Sequence, residues 1–417
     1  MTGIPLESAS QYFDDAEKII PVDYYGEDAY PEYEYMAQQE GVNATWDHEY
    51  KIVKNFSGYE AAKNAGKIPL FLSIEGGHAL INLTENTMLQ LEYDELSQLQ
   101  IDHLRIHLKK NIERIKGQGD ALSYKPEHTP IYLTLSHMYQ NFLAGHSRTY
   151  TEGGILPDIA DLLDQEVGLN AGLTDLGREA IDLLISDQNG SRILIDVKHL
   201  SVRGRKDYYQ IAKQHNLPII ASHVAMAGVE DFVDNPKDSR KDQKKNYFSR
   251  WSINLSDLDA RLIHESDGII GIALHEGRMP GGLAKKRIKK IKKQIKKGHA
   301  LEELLRFQYL KLTMGNIFQI IVAIGEKDAW TRIMIGSDYD GIMNPFDIYP
   351  KTSHFQRFIY DLEKFLEKPK PITIYRGGKE AILSKSEIMD YMYGFTPNQI
   401  ANMIALENFE NFMQRHF

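Results

Sequence analysis

Ile193-Leu194-Ile195-Asp196-Val197-Lys198-His199 is a short apolar run that ends in an imidazole. Buried parallel strands are short, continuous and apolar, so the run predicts such a strand with a ligand-type residue at its C-terminal tip. Two more stretches share the pattern. Ile68-Pro69-Leu70-Phe71-Leu72-Ser73-Ile74 leads into Glu75, and Pro218-Ile219-Ile220-Ala221-Ser222 leads into His223. Two neutral imidazoles and a carboxylate are a sufficient donor set for zinc. Glu75, His199 and His223 are therefore the candidate metal ligands.

Working outward, strand-like runs recur at 68–74, 131–136, 192–197, 218–222, 269–274 and 332–337, with helical patterns between them. One helix is expected to open at Thr174, a good N-cap, and to run through Ala180, Leu183 and Leu184. Alternation of this kind predicts a parallel sheet with helices outside it. The expected fold is α/β, a TIM-type (β/α)8 barrel of the metallo-dependent hydrolase kind, with active-site residues at the strand C-termini. Six strands are visible where eight are needed. The missing two would fall in residues 1–66, an acidic, tyrosine-rich segment in which no buried strand is evident. The expected division is thus 1–66 as an atypical segment and 67–417 as the barrel with C-terminal helices. Glu367-Lys368-Pro369-Lys370-Pro371 and Gly377-Gly378 mark loops in that mostly helical end.

The 417 residues carry a formal charge of -9 and no cysteine. Thiolate ligands and disulfides are excluded, so a transition-metal site must use His and carboxylate. The acidic balance argues against general nucleic-acid binding. No run of about 18 apolar residues and no signal-like N-terminus is evident, so neither a membrane span nor export is expected. A cytoplasmic location is the expectation. The tract from Lys285 to Lys297 holds nine Lys and Arg residues. Ile288, Ile291 and Ile295 fall on one face of it, which predicts a helix packed on the body with its lysines in water.

Further motifs follow the first three in order. Glu75 opens Glu75-Gly76-Gly77-His78. Leu133-Thr134-Leu135-Ser136-His137 is another strand ending in His. The last strand ends in Gly336-Ser337-Asp338-Tyr339-Asp340-Gly341, and Gly394-Phe395-Thr396 and Asn408-Phe409-Glu410-Asn411-Phe412 lie near the C-terminus. In this order and spacing the set, over roughly residues 68–417, resembles the membrane (renal) dipeptidase family of zinc peptidases in the amidohydrolase superfamily. The resemblance implies hydrolysis of a small dipeptide by metal-activated water. It makes Glu75 the carboxylate bridging two zinc ions and gives His199 and His223 to the second ion. His137 would contact substrate and polarise its carbonyl. Asp338 would hold the amino group or shuttle a proton. Arg250, with Arg240 as its competitor, would pair with the substrate carboxylate.

Other residues near these motifs carry plainer readings. His78 reads as a structural histidine, Asp340 as a cap, and Asp196 as an acceptor that orients a ligand. Lys198 falls on the opposite strand face from His199. The family opens its barrel with a strand ending in a His-x-Asp pair that completes the first metal. Here the one histidine before Glu75 is His48, in a polar stretch. The chain either begins inside the domain or lacks that half-site. The expectation is one or two zinc ions, with no more than one bound tightly. The alternatives are a catalytically impaired relative and an amidohydrolase acting on another amide or a lactone. The aromatic N-terminal segment could cover a neighbouring copy in a homo-oligomer.

Overall fold

The computed structural model describes residues 22–42, 49–149, 165–238, 244–339 and 345–417. The chain divides into two units, Met1–Tyr208 with Phe417, and Tyr209–His416.

The first unit opens with a tyrosine-rich stretch that is anchored rather than loose. Asp23 bridges to Asn82. A π-type turn, Tyr25–Ala29, leads into α1 (Tyr30–Gln39). Tyr25 and Tyr33 are buried. The Tyr33 ring stacks on Tyr124 with centroids 3.7 Å apart. The Tyr25 hydroxyl donates to the Leu122 carbonyl at 2.7 Å, and the Arg114 guanidinium lies over its ring. Tyrosine suits this role because its ring gains from burial while its hydroxyl still finds a partner.

A strand does exist before residue 66, contrary to the sequence reading. β1 (Tyr50–Ile52) pairs in parallel with β2 (Ile68–Leu70), and α2 (Phe56–Asn64) connects them under an Asn55 cap. Three residues with a central lysine are too short for a periodic signal. The run at 68–74 is also two strands rather than one. β2 pairs with β1, and β3 (Ser73–Glu75) pairs with the next strand of the unit. Pro69 lacks an N–H and sits in a two-stranded edge arrangement, where a missing donor is tolerated.

The unit continues through α3 (Gln98–Ile115), β4 (Tyr132–Thr134), α4 (Asp175–Ile185) and β5 (Leu194–Asp196), and α5 (Val202–Gln214) runs across the division at Tyr208. The Thr174 cap is present, its hydroxyl accepting from Gly177 N at 2.9 Å. β3, β4 and β5 are parallel, and their register is the main fact for function. Glu75 is aligned with Thr134, and Thr134 with Asp196.

The second unit repeats the alternation with β6 (Ile220–Val224), α6 (Asp257–Glu265), β7 (Ile269–Ile272), α7 (Gly282–Ile295), α8 (Glu302–Ile324) and β8 (Ile333–Ile335). β6, β7 and β8 are parallel, with an irregularity in β6 between Ala221 and Val224. α9 (Phe355–Glu367) follows. The segment read as helix and loop then forms an antiparallel hairpin, β9 (Ile372–Arg376) and β10 (Lys379–Leu383), turning at Gly377-Gly378. The glycine pair marked the turn, as glycine pairs do in two-residue hairpins. α10 (Lys385–Tyr391), α11 (Pro397–Asn402) and α12 (Asn408–His416) close the chain.

α8 corrects the expectation about apolar length. It is long and apolar enough to cross a membrane, and 72% of its apolar window is buried within the protein. Its polar groups are satisfied internally. Asn316 Oδ1 accepts from Met226 N at 2.7 Å, and Gln319 bonds both Asp257 and the Tyr375 backbone. An isolated apolar helix would leave those amides costly.

Candidate metal centre

Parallel register builds the site in the first unit. His137 lies three residues beyond Thr134, and His199 three beyond Asp196. Because Thr134 and Asp196 are aligned, the two histidines emerge side by side. Their rings meet edge to face with centroids 4.6 Å apart. Glu75 ends β3 in the same row. Its Oε1 is 3.3 Å from His199 Nε2 and 3.7 Å from His137 Nε2. One ligand atom from each of the three lies within 4.8 Å of the others. Tetrahedral zinc with bonds of about 2.0–2.1 Å holds its donors about 3.4 Å apart. These spacings fit such an ion.

Hydrogen bonds set the rings. The row behind them is tied by Thr134 Oγ1 donating to Asp196 Oδ2 at 2.7 Å, and Asp196 Oδ1 accepts from Lys198 N at 3.1 Å. Asp196 is thus an acceptor, and in these bonds it fixes the strand tip through Thr134 and the Lys198 backbone rather than through a ligand side chain. Thr149 Oγ1 approaches His199 Nδ1 at 3.5 Å, and His199 Nε2 faces Glu75. A partner on one ring nitrogen orients the other toward a metal. Thr149 carried no signal in the sequence, since it stands in a loop far from any strand motif.

The strand tip is strained. His199 adopts φ +66°, in the left-handed region that costs a β-carbon-bearing residue about 1–3 kcal/mol. In the second unit Asp338 has φ +58°. Strain of this kind concentrates at functional positions.

Burial decides the protonation of His199. His199 is 4% exposed, and its pKa lies well below the ordinary value, chiefly through desolvation. His137 and Lys198 add to the lowering, while Glu75 opposes it. A neutral imidazole is the form that binds metal. Glu75, with its side chain 43% exposed, is the open side of the group.

His78 falls outside the ligand trio, as a structural histidine should. It is buried, edge-on to Tyr24 at 4.4 Å, and 6.0 Å from the His137 ring. Gly76 makes room for it. Gly76 has φ +119°, and a β-carbon there would lie 2.0 Å from His78 Cε1. Burial pushes the His78 pKa down to about 3, with His137 adding to the effect. His128 and His146 are also lowered by burial. An unfolded chain takes up protons on these rings near pH 6.5, and the folded chain does not. Their contribution to stability is therefore complete above about pH 6.5 and is lost progressively as pH falls toward their folded values. The urea midpoint should be flat from pH 7 to 8 and drop steadily from 6.5 to 4.5. A midpoint that rises on acidification would contradict this burial.

The remaining sequence candidates lie in the second unit. His223 is within β6, with Nδ1 2.8 Å from Ser222 Oγ. Asp338 follows β8 by three residues. Arg250 Nη2 donates to the Gly228 carbonyl at 3.2 Å and to the Gly378 carbonyl, and its guanidinium lies 4.9 Å from the Tyr375 ring centroid. It holds the β9–β10 hairpin turn in these contacts. His48, Arg240 and Asp340 lie outside the described residues. Among the described residues no histidine precedes Glu75, so no His-x-Asp pair is seen there.

Comparison with known proteins identifies the family. Residues 132–369, more than half of the chain, match the model of the membrane dipeptidase family, peptidase family M19. No curated protein matches the chain. Among solved structures, the chain is similar to dipeptidase AC, a metallopeptidase of family M19, at 15% identity and a TM-score of 0.45, covering 88% of this chain and 71% of that one. It is similar to a metallopeptidase from Rhodobacter sphaeroides bound to a phosphinate mimic of L-Ala-D-Ala, at 15% identity and a TM-score of 0.42, covering 88% and 69%. The probable dipeptidase PvdM from Pseudomonas aeruginosa matches at 16% identity and a TM-score of 0.45, covering 93% and 78%. The chain belongs to the membrane dipeptidase family, peptidase family M19, and is an α/β protein of the TIM-barrel metallopeptidase class.

Proposed function

We propose that the protein hydrolyses dipeptides with a single zinc ion held in the first unit. The observation that supports this most is the convergence of Glu75, His137 and His199 at spacings suited to one tetrahedral ion. Zinc is favoured over magnesium or calcium because two of three donors are imidazole nitrogens and no thiolate is available. When bound, the ion supplies a Lewis acid and lowers the pKa of its water toward neutrality. Glu75 and His199 would hold it. His137 would either ligate or donate a hydrogen bond to the carbonyl oxygen as negative charge develops there. On motif alone, His223 would add a ligand, Asp338 would bind the amino group or move a proton, and Arg250 would meet the carboxylate.

A second reading has its own support. Among the described residues, no histidine precedes Glu75 to supply the family's first half-site. A chain with one ion lacks the second Lewis acid and should turn over slowly or serve as a binding protein. Metal analysis after dialysis against zinc, together with a dipeptide and lactone panel, separates these readings. One ion with slow dipeptide turnover supports the proposal. Two ions with rapid turnover would mean that ligands outside the trio complete a binuclear site. One ion with no hydrolysis favours the impaired relative, and lactone turnover alone favours another amidohydrolase chemistry.

A further inference from the structure

α7 carries a basic face that the hydrolytic site does not use. It runs from Gly282 to Ile295, 14 residues, or about 21 Å of helix. Ala284, Ile288 and Ile291 are buried and fasten it to the second unit. Ile295, predicted on the same face, is half-buried. Of the nine cations between Lys285 and Lys297, two are engaged by the body. Lys292 pairs with Glu276 and Asp347, and Lys285 Nζ donates to the Gly277 carbonyl. The other seven are exposed and have no ion-pair partner among the described residues. No Asp or Glu occurs from residue 277 to 301, although the chain as a whole carries -9.

We propose that this face adsorbs the protein to an anionic lipid bilayer surface. Charge complementarity requires an anionic occupant, and the composition of the face selects among anionic partners. Eight of the nine cations are lysine, a compact point charge suited to a diffuse field. Arginine, which makes the bidentate contacts of specific carboxylate or phosphate recognition, occurs once. No aromatic residue lies in the tract to stack on bases. The apolar side of the helix is already buried in the protein, so contact is by charge at the headgroup level without insertion. Leu283 and Leu304, 44% and 42% exposed, flank the cations and can touch the interface. Each lysine near an anionic membrane contributes about 1 kcal/mol, roughly fivefold in affinity.

The test uses the full chain in co-sedimentation with phosphatidylcholine vesicles, with and without about one third phosphatidylserine. Binding is expected with phosphatidylserine at about 0.1 M salt, and it should vanish at about 0.5 M salt as the field is screened. It should be absent with phosphatidylcholine alone. The variant K286Q/K290Q/K293Q/K297Q removes four exposed cations from one side of the helix. It should bind several hundredfold more weakly, at about fivefold per lysine, with an unchanged circular dichroism spectrum. If that variant does not fold, the lipid and salt dependence of the native chain decides the matter. Equal binding to neutral vesicles, no binding to either, or an undiminished variant would overturn the proposal. So would tighter binding to a DNA duplex or to polyglutamate at the same salt.

Discussion

Glu75→Gln and His199→Ala should each reduce bound zinc from one ion to less than a tenth of an ion per chain. Any dipeptidase activity should fall with it by about 10³-fold or more. The size follows from the chemistry removed. A Lewis acid on a developing oxyanion contributes several kcal/mol, and each 1.4 kcal/mol is about tenfold in rate. Glu75→Gln is the cleaner variant. It keeps the shape of a half-exposed side chain and replaces an anionic donor with a neutral amide. His199→Ala removes a donor and also leaves a small residue in the left-handed region at φ +66°. Its melting temperature without metal is the control for that effect. Full metal content in both variants would place the ion elsewhere and remove the basis of the proposed function.

Gly336→Ala should be among the most damaging single substitutions in the second unit. A β-carbon at this position would lie 1.8 Å from the Ser222 carbonyl oxygen and 3.0 Å from His223 Cα. Both neighbours are backbone atoms of β6, so no side chain can swing aside. The strands must part, at a cost of about 3 kcal/mol or more. For a unit of this size that is a fall in melting temperature of about 10 °C. The substitution also forces apart the two segments that carry His223 and Asp338, so the loss should extend to function. A melting temperature within about 2 °C of the parent would show that the close approach is not real.

The sequence was informative where chemistry and periodicity coincided. Glu75, His199 and His137 stood out because a polar ligand type interrupts an apolar run where a buried strand ends, but the reading gave the third ligand place to His223 and only a substrate contact to His137, whereas the structure groups His137 with Glu75 and His199. The Thr174 cap and the buried face of α7, through Ile288 and Ile291, were legible for the same reason, since each obeys a local rule. Register was not legible. Nothing in the residues says that Thr134 aligns with Asp196, and that alignment is what sets His137 beside His199. The break at Phe71 was also hidden, because an apolar run looks the same whether it serves one strand or two. β1 was missed because three residues hold no period. Tyr25 and Tyr33 lie in a stretch that read as loop and helix, and their role as anchors depends on Leu122 and Tyr124, which are distant in sequence.

The aligned row of Glu75, Thr134 and Asp196 has a consequence for how the chain is assembled in the cell. These parallel strands are only three residues long, and a slip of one position would turn the row to the opposite side. In a slipped chain Glu75 would no longer face His137 and His199, and the donor set would be broken. With zinc held as proposed, only the correctly paired chain would retain the ion, and it would gain RT ln(1 + [zinc]/Kd) in stability over every mispaired one. Zinc supply during synthesis would thereby act as a proofreading step on strand pairing. Copies made under metal starvation would differ from their metal-fed counterparts in structure as well as in cargo, and late addition of the ion would restore only those already in register.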